Sequence, residues 1–308
     1  MPCFVQEKVV IIMGRYILKR LGISVAVIFL VSVISFTLVH MLPGDPAVLA
    51  LGSEASEQDI ATFREKYYLD RPIVEQYFIW ITDTLRGDLG DSITYSRPVL
   101  TCLAERLPRT ISIGLPALIL SSILGILCGI ISAIRRGKFI DNLITFVSTI
   151  GLGAPQFWLG IVGIYIFGMK LGWLPLSGYV SPGENFGQYI YYGVIPILIL
   201  SFSLLASVAR QTRSNMLEVV NQDYIRTARA NGLAEKSVIY KHALRNALLP
   251  VITVIGNEFG YLLGGTVLVE SIFGIPGLGS LTITSIRSKD IPQTTACILF
   301  LAALNVVI

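Results

Sequence analysis

Two groups of residues in this chain are placed where they could do chemistry. The first centres on Glu258, eight residues after Pro250 in an apolar run from Pro250 to Val269. At about 1.5 Å per helical residue it would lie ~12 Å along that run. An acid at such depth is costly and faces either a cavity or a partner group. It reads equally as a pathway carboxylate meeting a cationic group, such as an amine or a metal ion, or as a protonated acid bonded to a neighbouring helix. Gly264, Gly265 and Glu270 follow on the same run; they are expected to shape packing and an outer gate, with Glu270 near the outer interface.

The second group lies between Asp223 and Pro250, a polar, basic stretch flanked by long apolar segments. Asp223 is a favourable N-cap, nothing from Tyr224 to Ala230 breaks a helix, and Gly232 after Asn231 reads as a left-handed stop. A second helix is expected over about 234–246. A short helix, a glycine bend and a second helix at a membrane surface form a candidate docking element. Its residues are Tyr224, Arg226, Thr227, Ala228, Arg229 and Gly232, with His242, Arg245 and Asn246 expected to lock the second helix against the bundle.

Other chemistry is missing from the sequence. No G-x-x-x-x-G-K-[ST] occurs; ahead of Gly137-Lys138 the first glycine place holds Ser132, and Phe139 follows the lysine. No G-x-S-x-G, H-E-x-x-H or paired-carboxylate pattern is present. The two histidines, His40 and His242, are far apart in sequence, and the four cysteines (Cys3, Cys102, Cys128, Cys297) lack metal spacing and read as free thiols. No cofactor, metal or nucleic-acid partner is implied. Energy for any work must come from a partner protein or an ion gradient.

The elements that must position these residues are membrane helices. Mean hydropathy is +0.70, and only 14% of residues are charged, against roughly a quarter in soluble domains. The expected fold is all-α and polytopic, with about six transmembrane helices and a mostly helical extracytoplasmic insert between the first two. Residues 1–20 form a cytoplasmic N-terminal segment, 21–42 the first helix, 43–109 the insert, and 110–308 a core with the remaining helices and the loop 211–249. Arg15, Lys19 and Arg20 place the N-terminus inside, as do Arg135, Arg136 and Lys138 for the second loop and Arg210 and Arg213 for the third. Gly125 and Gly129, and again Gly260 and Gly264, have the G-x-x-x-G spacing that lets helices approach closely. A Gly/Pro break at 151–155 inside the third span either lines a pathway or is a kink. Residues 1–12 precede a second methionine, Met13, and are expected to be a start-site extension.

The stretch RTARANG followed by HALRNALLP resembles the cytoplasmic coupling loop of ABC importer permeases, in the branch serving dipeptides, oligopeptides, glutathione and nickel. The general family pattern is Glu-Ala-Ala, three residues, Gly, nine residues, Ile-x-Leu-Pro. Here those places hold Arg226-Thr227-Ala228 and His242-Ala243-Leu244-Arg245, so the match to the general pattern is partial. HMLPGDPA, LDRPIVEQY, GDLGDS, LGWLPLSGY and VESIFGIPGLGS resemble the same branch, from Met13 to Ile308. The resemblance implies a non-enzymatic membrane subunit of a bacterial or archaeal cell membrane. Its partners would be a homologous second permease, two ATPase subunits that hydrolyse ATP, an extracytoplasmic substrate-binding protein and membrane lipid. It also implies that the last helix continues past Ile308 into a short tail. The substrate would be a peptide or glutathione, with a nickel or metal-chelate importer as the alternative. A carrier driven by an ion gradient, with Glu258 as its coupling acid, is the competing class; the absence of paired broken repeats disfavours it.

Overall fold

The computed structural model describes residues 2–52 and 54–307, with side chains for all of these other than 2–13, 16, 263 and 307; Met1, Cys3 and Ile308 therefore lie outside the described side chains. Thirteen helices make up the described elements: α1 (Pro2–Met41), α2 (Pro46–Leu51), α3 (Glu57–Lys66), α4 (Ile73–Leu85), α5 (Val99–Ile134), α6 (Phe139–Gly153), α7 (Gln156–Gly163), α8 (Phe186–Val220), α9 (Asp223–Ala230), α10 (Glu235–Ser237), α11 (Leu244–Phe273), α12 (Leu278–Arg287) and α13 (Ile291–Val307). Two π-helical segments, Ile164–Lys170 and Val238–Ala243, extend α7 and join α10 to α11. Four helices are long and apolar enough to cross a membrane, or up to six if each of two broken pairs counts as one span. The fold is that of a polytopic all-α membrane protein.

The described chain divides into two compact units, Met1–Ala104 with Leu281–Val307, and Glu105–Ser280. In the first, α13 and α4 pack against α1. Leu42 to Asp45 stop α1, and Asp45 then caps α2 by accepting the Ala47 N–H at 2.9 Å. Ser56 caps α3 in the same way. The seam between the insert and α13 is polar and buried. Asp290, fully buried, accepts from Ser92 Oγ at 2.5 Å, the Thr94 N–H at 2.9 Å and the Gln293 N–H at 3.1 Å. Beside it Lys289 takes a left-handed backbone (φ 52°) and donates its ammonium to the Leu42 and Gly44 carbonyls just past α1. Burial pushes the Lys289 ammonium below its ordinary pKa, against the opposing charge of Asp45.

In the second unit, α8 packs along α6 and α11, and α7 against both α8 and α11. A core of Ile113, Ala117, Ile199, Leu200, Leu262 and Phe273 fills the space between them. Gly125 and Gly129 allow α5 to meet α8 closely. A Cβ on Gly129 would lie 2.5 Å from Thr212 Cβ and 2.7 Å from the Ala209 carbonyl oxygen. The turn before α6 is pinned by Asp141, which takes a two-pronged bond from Arg213 of α8 (2.7 and 2.9 Å) and the Gly137 N–H at 2.8 Å.

Several helices run past their expected ends. α5 starts at Val99, eleven residues before Thr110, and carries Pro108 and Pro116 inside it. Its charged first turns read as loop in sequence, yet a helix is free to be polar before it enters lipid. α8 runs to Val220, so the first ten residues of the loop expected at 211–249 are helical; no Gly or Pro interrupts them. Pro250 begins no new element and lies inside α11. In α11, Gly264 has no described atom of this chain against it, so on that side the expected close approach is not made within the chain.

Gly129→Ala should cost about 1–3 kcal/mol, because the methyl must displace backbone as well as Thr212. Gly264→Ala should leave the isolated chain unchanged or stabilise it by up to ~1 kcal/mol through helix propensity. Thermal unfolding of both variants in one detergent checks the pair. Asp290→Asn, which turns an acceptor-only group into one with an unmatched amide, should destabilise by about 1–3 kcal/mol in the same assay.

Candidate coupling surface and membrane cavity

The first candidate is built on α9. Its sequence, DYIRTARA, puts apolar residues at Ile225 and Ala228, three apart and therefore on one face. Both are buried, against Met216 of α8 and against Val238, Ile239, Ala243 and Ala247. Tyr224, Arg226, Thr227 and Arg229 lie on the exposed side. Ala228, expected among the docking residues, thus sits on the anchoring face, and its part is packing against the bundle. Gln222 rather than Asp223 is the N-cap; Asp223 opens the helix, where its charge opposes the positive end of the helix dipole. Gly232 is left-handed at φ 77°, a conformation that costs a side-chain-bearing residue strain.

Two contacts set the angle between α9 and the following helix. Arg229 spans the glycine bend to Glu235 with paired bonds of 3.1 and 2.8 Å. Asn246 Nδ2 donates to the Tyr224 hydroxyl at 2.7 Å. Tyr224 and Arg229, expected to face a partner, are thereby also internal struts, and Asn246, expected to lock the second helix against the bundle, instead ties α11 to α9. Arg226 reaches only Asp223, at 3.7 Å with both side chains largely exposed, and remains available. His242 is half-buried in the π-helical segment and Arg245 is exposed. Behind the surface, Asn215 of α8 donates to the Ala247 carbonyl at 3.3 Å.

The second candidate surrounds Glu258. A cavity of about 280 Å³ is lined by Gln156, Ser203, Glu258 and Tyr261 over a floor of leucines 200, 204 and 262. Glu258 is half-buried and Tyr261 is 76% exposed. The break in the third span makes this site. Pro155 ends α6 and starts α7, the chain turns through 102°, and Gln156 becomes the first residue of the new helix. A Cβ on Gly265 would stand 2.9 Å from Gln156 Oε1, so Gly265 admits the glutamine side chain. Sequence reading singled out the break, Glu258 and Gly265 separately. It missed Gln156 and Ser203, whose sole signal is the position of Gln156 after the proline.

Glu270 is elsewhere and differently employed. It is 1% exposed, and its carboxylate accepts from Thr110 Oγ1 at 2.6 Å and the Ser280 N–H at 3.0 Å. Thr110 in turn accepts the Leu278 N–H at 2.8 Å. Added side-chain atoms on Gly277 would fall within 2.3 Å of the carboxylate, so the GIPGLG turn closes over it as bare backbone. Glu270 organises the turn between α11 and α12 and does not line the Glu258 cavity.

Arg229→Ala removes the strap across the bend without touching the buried face of α9. Amide hydrogen exchange over residues 224–233 should speed up by roughly two- to tenfold, the scale of a lost exposed ion pair and its hydrogen bonds, with global stability unchanged.

Sequence comparison agrees with this architecture. The family model for the binding-protein-dependent transport system inner membrane component matches residues 125–308, and the model for the N-terminal part of such membrane components matches residues 13–114. A probable peptide ABC transporter permease protein of Sinorhizobium fredii is 39% identical over 296 residues, 96% of this chain and 95% of its own length. A glutathione transport system permease protein of Escherichia coli K12 is 40% identical over 287 residues, covering 93% and 91%. The chain belongs to the family of binding-protein-dependent transport system inner membrane components, the permease subunits of ABC importers.

Proposed function

We propose that this permease carries peptides, or glutathione as a peptide-like substrate, delivered by an extracytoplasmic binding protein. It pairs with a homologous second permease and is driven by two cytoplasmic ATPase subunits that hydrolyse the ATP. The observation carrying this reading is the construction of α9: a short helix whose apolar face is anchored on α8 and α11 while its polar face is left outward. Such an element transmits displacement without deforming, because its seat is packed and its bend is strapped. Tyr224, Arg226, Thr227 and Arg229 form the docking face, Ala228 anchors it, Gly232 sets the bend, and His242, Arg245 and Asn246 belong to the supporting helix. The basic residues ahead of the first span support a cytoplasmic N-terminus.

Glu258 marks the translocation path. With Gln156 and Ser203 it offers a carboxylate, an amide and a hydroxyl within an otherwise apolar wall, groups suited to a peptide's ammonium and backbone amides. Gly265 keeps the path open to Gln156, Gly264 leaves α11 smooth, and Glu270 holds the outer turn. The names of the relatives support peptide and glutathione substrates.

Co-expression with the neighbouring subunit genes, followed by ATPase and uptake assays in nanodiscs and vesicles, tests the reading. Gly232→Asp, with a charged side chain at φ 77°, should lower substrate-stimulated ATPase or detach the ATPase. A drop of about 5–150-fold corresponds to the usual size of a coupling free energy. Glu258→Gln should slow uptake of peptides with a free amino terminus more than that of N-acetylated ones. Equal uptake of both in variant and parent rejects the path assignment, and a chain that purifies alone and moves solute on a proton gradient rejects the importer reading itself.

A further inference from the structure

The unit that contains the insert encloses a cavity of about 190 Å³, apart from every residue assigned above. Its size exceeds the ~150 Å³ that admits a benzene molecule. Tyr67, Tyr68 and Trp80 are among its lining residues, together with half-buried Asp83 and the exposed Asp88 and Asp91. Aromatic rings attract cations over their faces, most strongly where water is excluded.

Two observations show what this wall favours. The chain already places cations over two of these rings: Lys66 Nζ lies 5.3 Å from the Tyr67 ring centroid, and the guanidinium of Arg71, which is outside the lining, 4.9 Å from that of Tyr68. Acidic groups also stand close to the Tyr67 ring. The Tyr67 phenol is pushed above its ordinary pKa by burial and then by the charges of Asp91 and Asp290. Asp290 is buried and accepts from Ser92, Thr94 and Gln293. Lys66 is the one cationic lining residue; Arg86 meets Asp83 at 3.8 Å from an exposed position.

We propose that this cavity is a binding site for an ammonium or guanidinium group carried on a short aliphatic chain, of the kind a basic peptide presents. Tyr67, Tyr68 and Trp80 hold the stem and the face of the cation, and Asp83, Asp88 and Asp91 neutralise it. Lys66 is a built-in competitor: a ligand cation enters by displacing its ammonium from the Tyr67 ring. The site sits in a different unit from the Glu258 cavity and needs no assumption about coupling or transport.

The test uses the full chain in nanodiscs, with Trp158 and Trp173 replaced by Phe so that Trp80 is the sole indole emitter. n-Butylammonium is titrated against n-butanol, its neutral counterpart of nearly equal size. The expected result is a saturable change in Trp80 emission with butylammonium only, weakening as salt is raised. Asp91→Asn and Asp83→Asn should each weaken binding by about three- to tenfold, and Lys66→Ala should tighten it, as expected for cation–π and charge contacts at a partly open site. Asp91 is exposed and Asp83 half-buried, so both variants should fold normally and each controls for the other. Equal responses to butylammonium and butanol, or unchanged binding in both aspartate variants, would overturn the proposal and leave an apolar void.

Discussion

A backbone that leaves its helical ladder at membrane depth loses hydrogen bonds that lipid cannot replace. Two interruptions among the described residues lie beside polar side chains. At the third span, Pro155 stops one helix and starts another, and the freed corner becomes a polar cavity edged by Gln156 and Glu258. After α11 the ladder stops at Phe273, and Glu270 with Thr110 takes up the Leu278 and Ser280 amides that open α12. An acid that is expensive in lipid is used here because a carboxylate accepts several backbone N–H groups at once. The glycines of the GIPGLG turn are the counterpart of that choice, since any side chain there would collide with the carboxylate.

The same economy of polar groups governs α9. The sequence carries no nucleotide-binding loop pattern, and under the proposed function work arrives through contact. Contact transmits force only if the element receiving it cannot yield. α9 is eight residues long, too short to be stable alone. Its rigidity is borrowed from the buried pair Ile225 and Ala228, from the Arg229–Glu235 strap and from the Asn246–Tyr224 bond. Residues on the exposed face therefore also serve as internal braces, and substituting them changes the stiffness of the element as well as its surface.

Much of this was legible in the sequence. The apolar runs located the membrane helices, the glycine after Asn231 located the bend, and G-x-x-x-G marked the α5–α8 contact at Gly125 and Gly129. Helix lengths were less legible, because the tests for a span measure apolarity whereas α5 and α8 extend beyond lipid as polar helices without breakers. The partners of buried polar groups were not legible at all. Asp290 with Ser92, Asp141 with Arg213, and Gln156 with Gly265 are joined across 198, 72 and about 110 residues of chain, and no local pattern encodes such pairings. The G-x-x-x-G spacing in α11 shows the limit from the other side: Gly264 has the spacing but no neighbour within this chain.

α8 has a mechanical consequence. It is 35 residues of continuous helix, about 52 Å at ~1.5 Å per residue, and α9 is seated beside Met216 near its last turn. Residues that edge the Glu258 cavity, Leu200 and Ser203, lie roughly 20–25 Å up the same rod from that seat by the same rise. A tilt of a few degrees about the α9 seat would therefore shift the cavity wall by about 1–2 Å, the size of known helix shifts in switching proteins. α5 is pressed against that rod at Ala209 and Thr212, where Gly129 leaves room. Between the seat of α9 and the cavity wall, the rod is thus steadied by a missing methyl group.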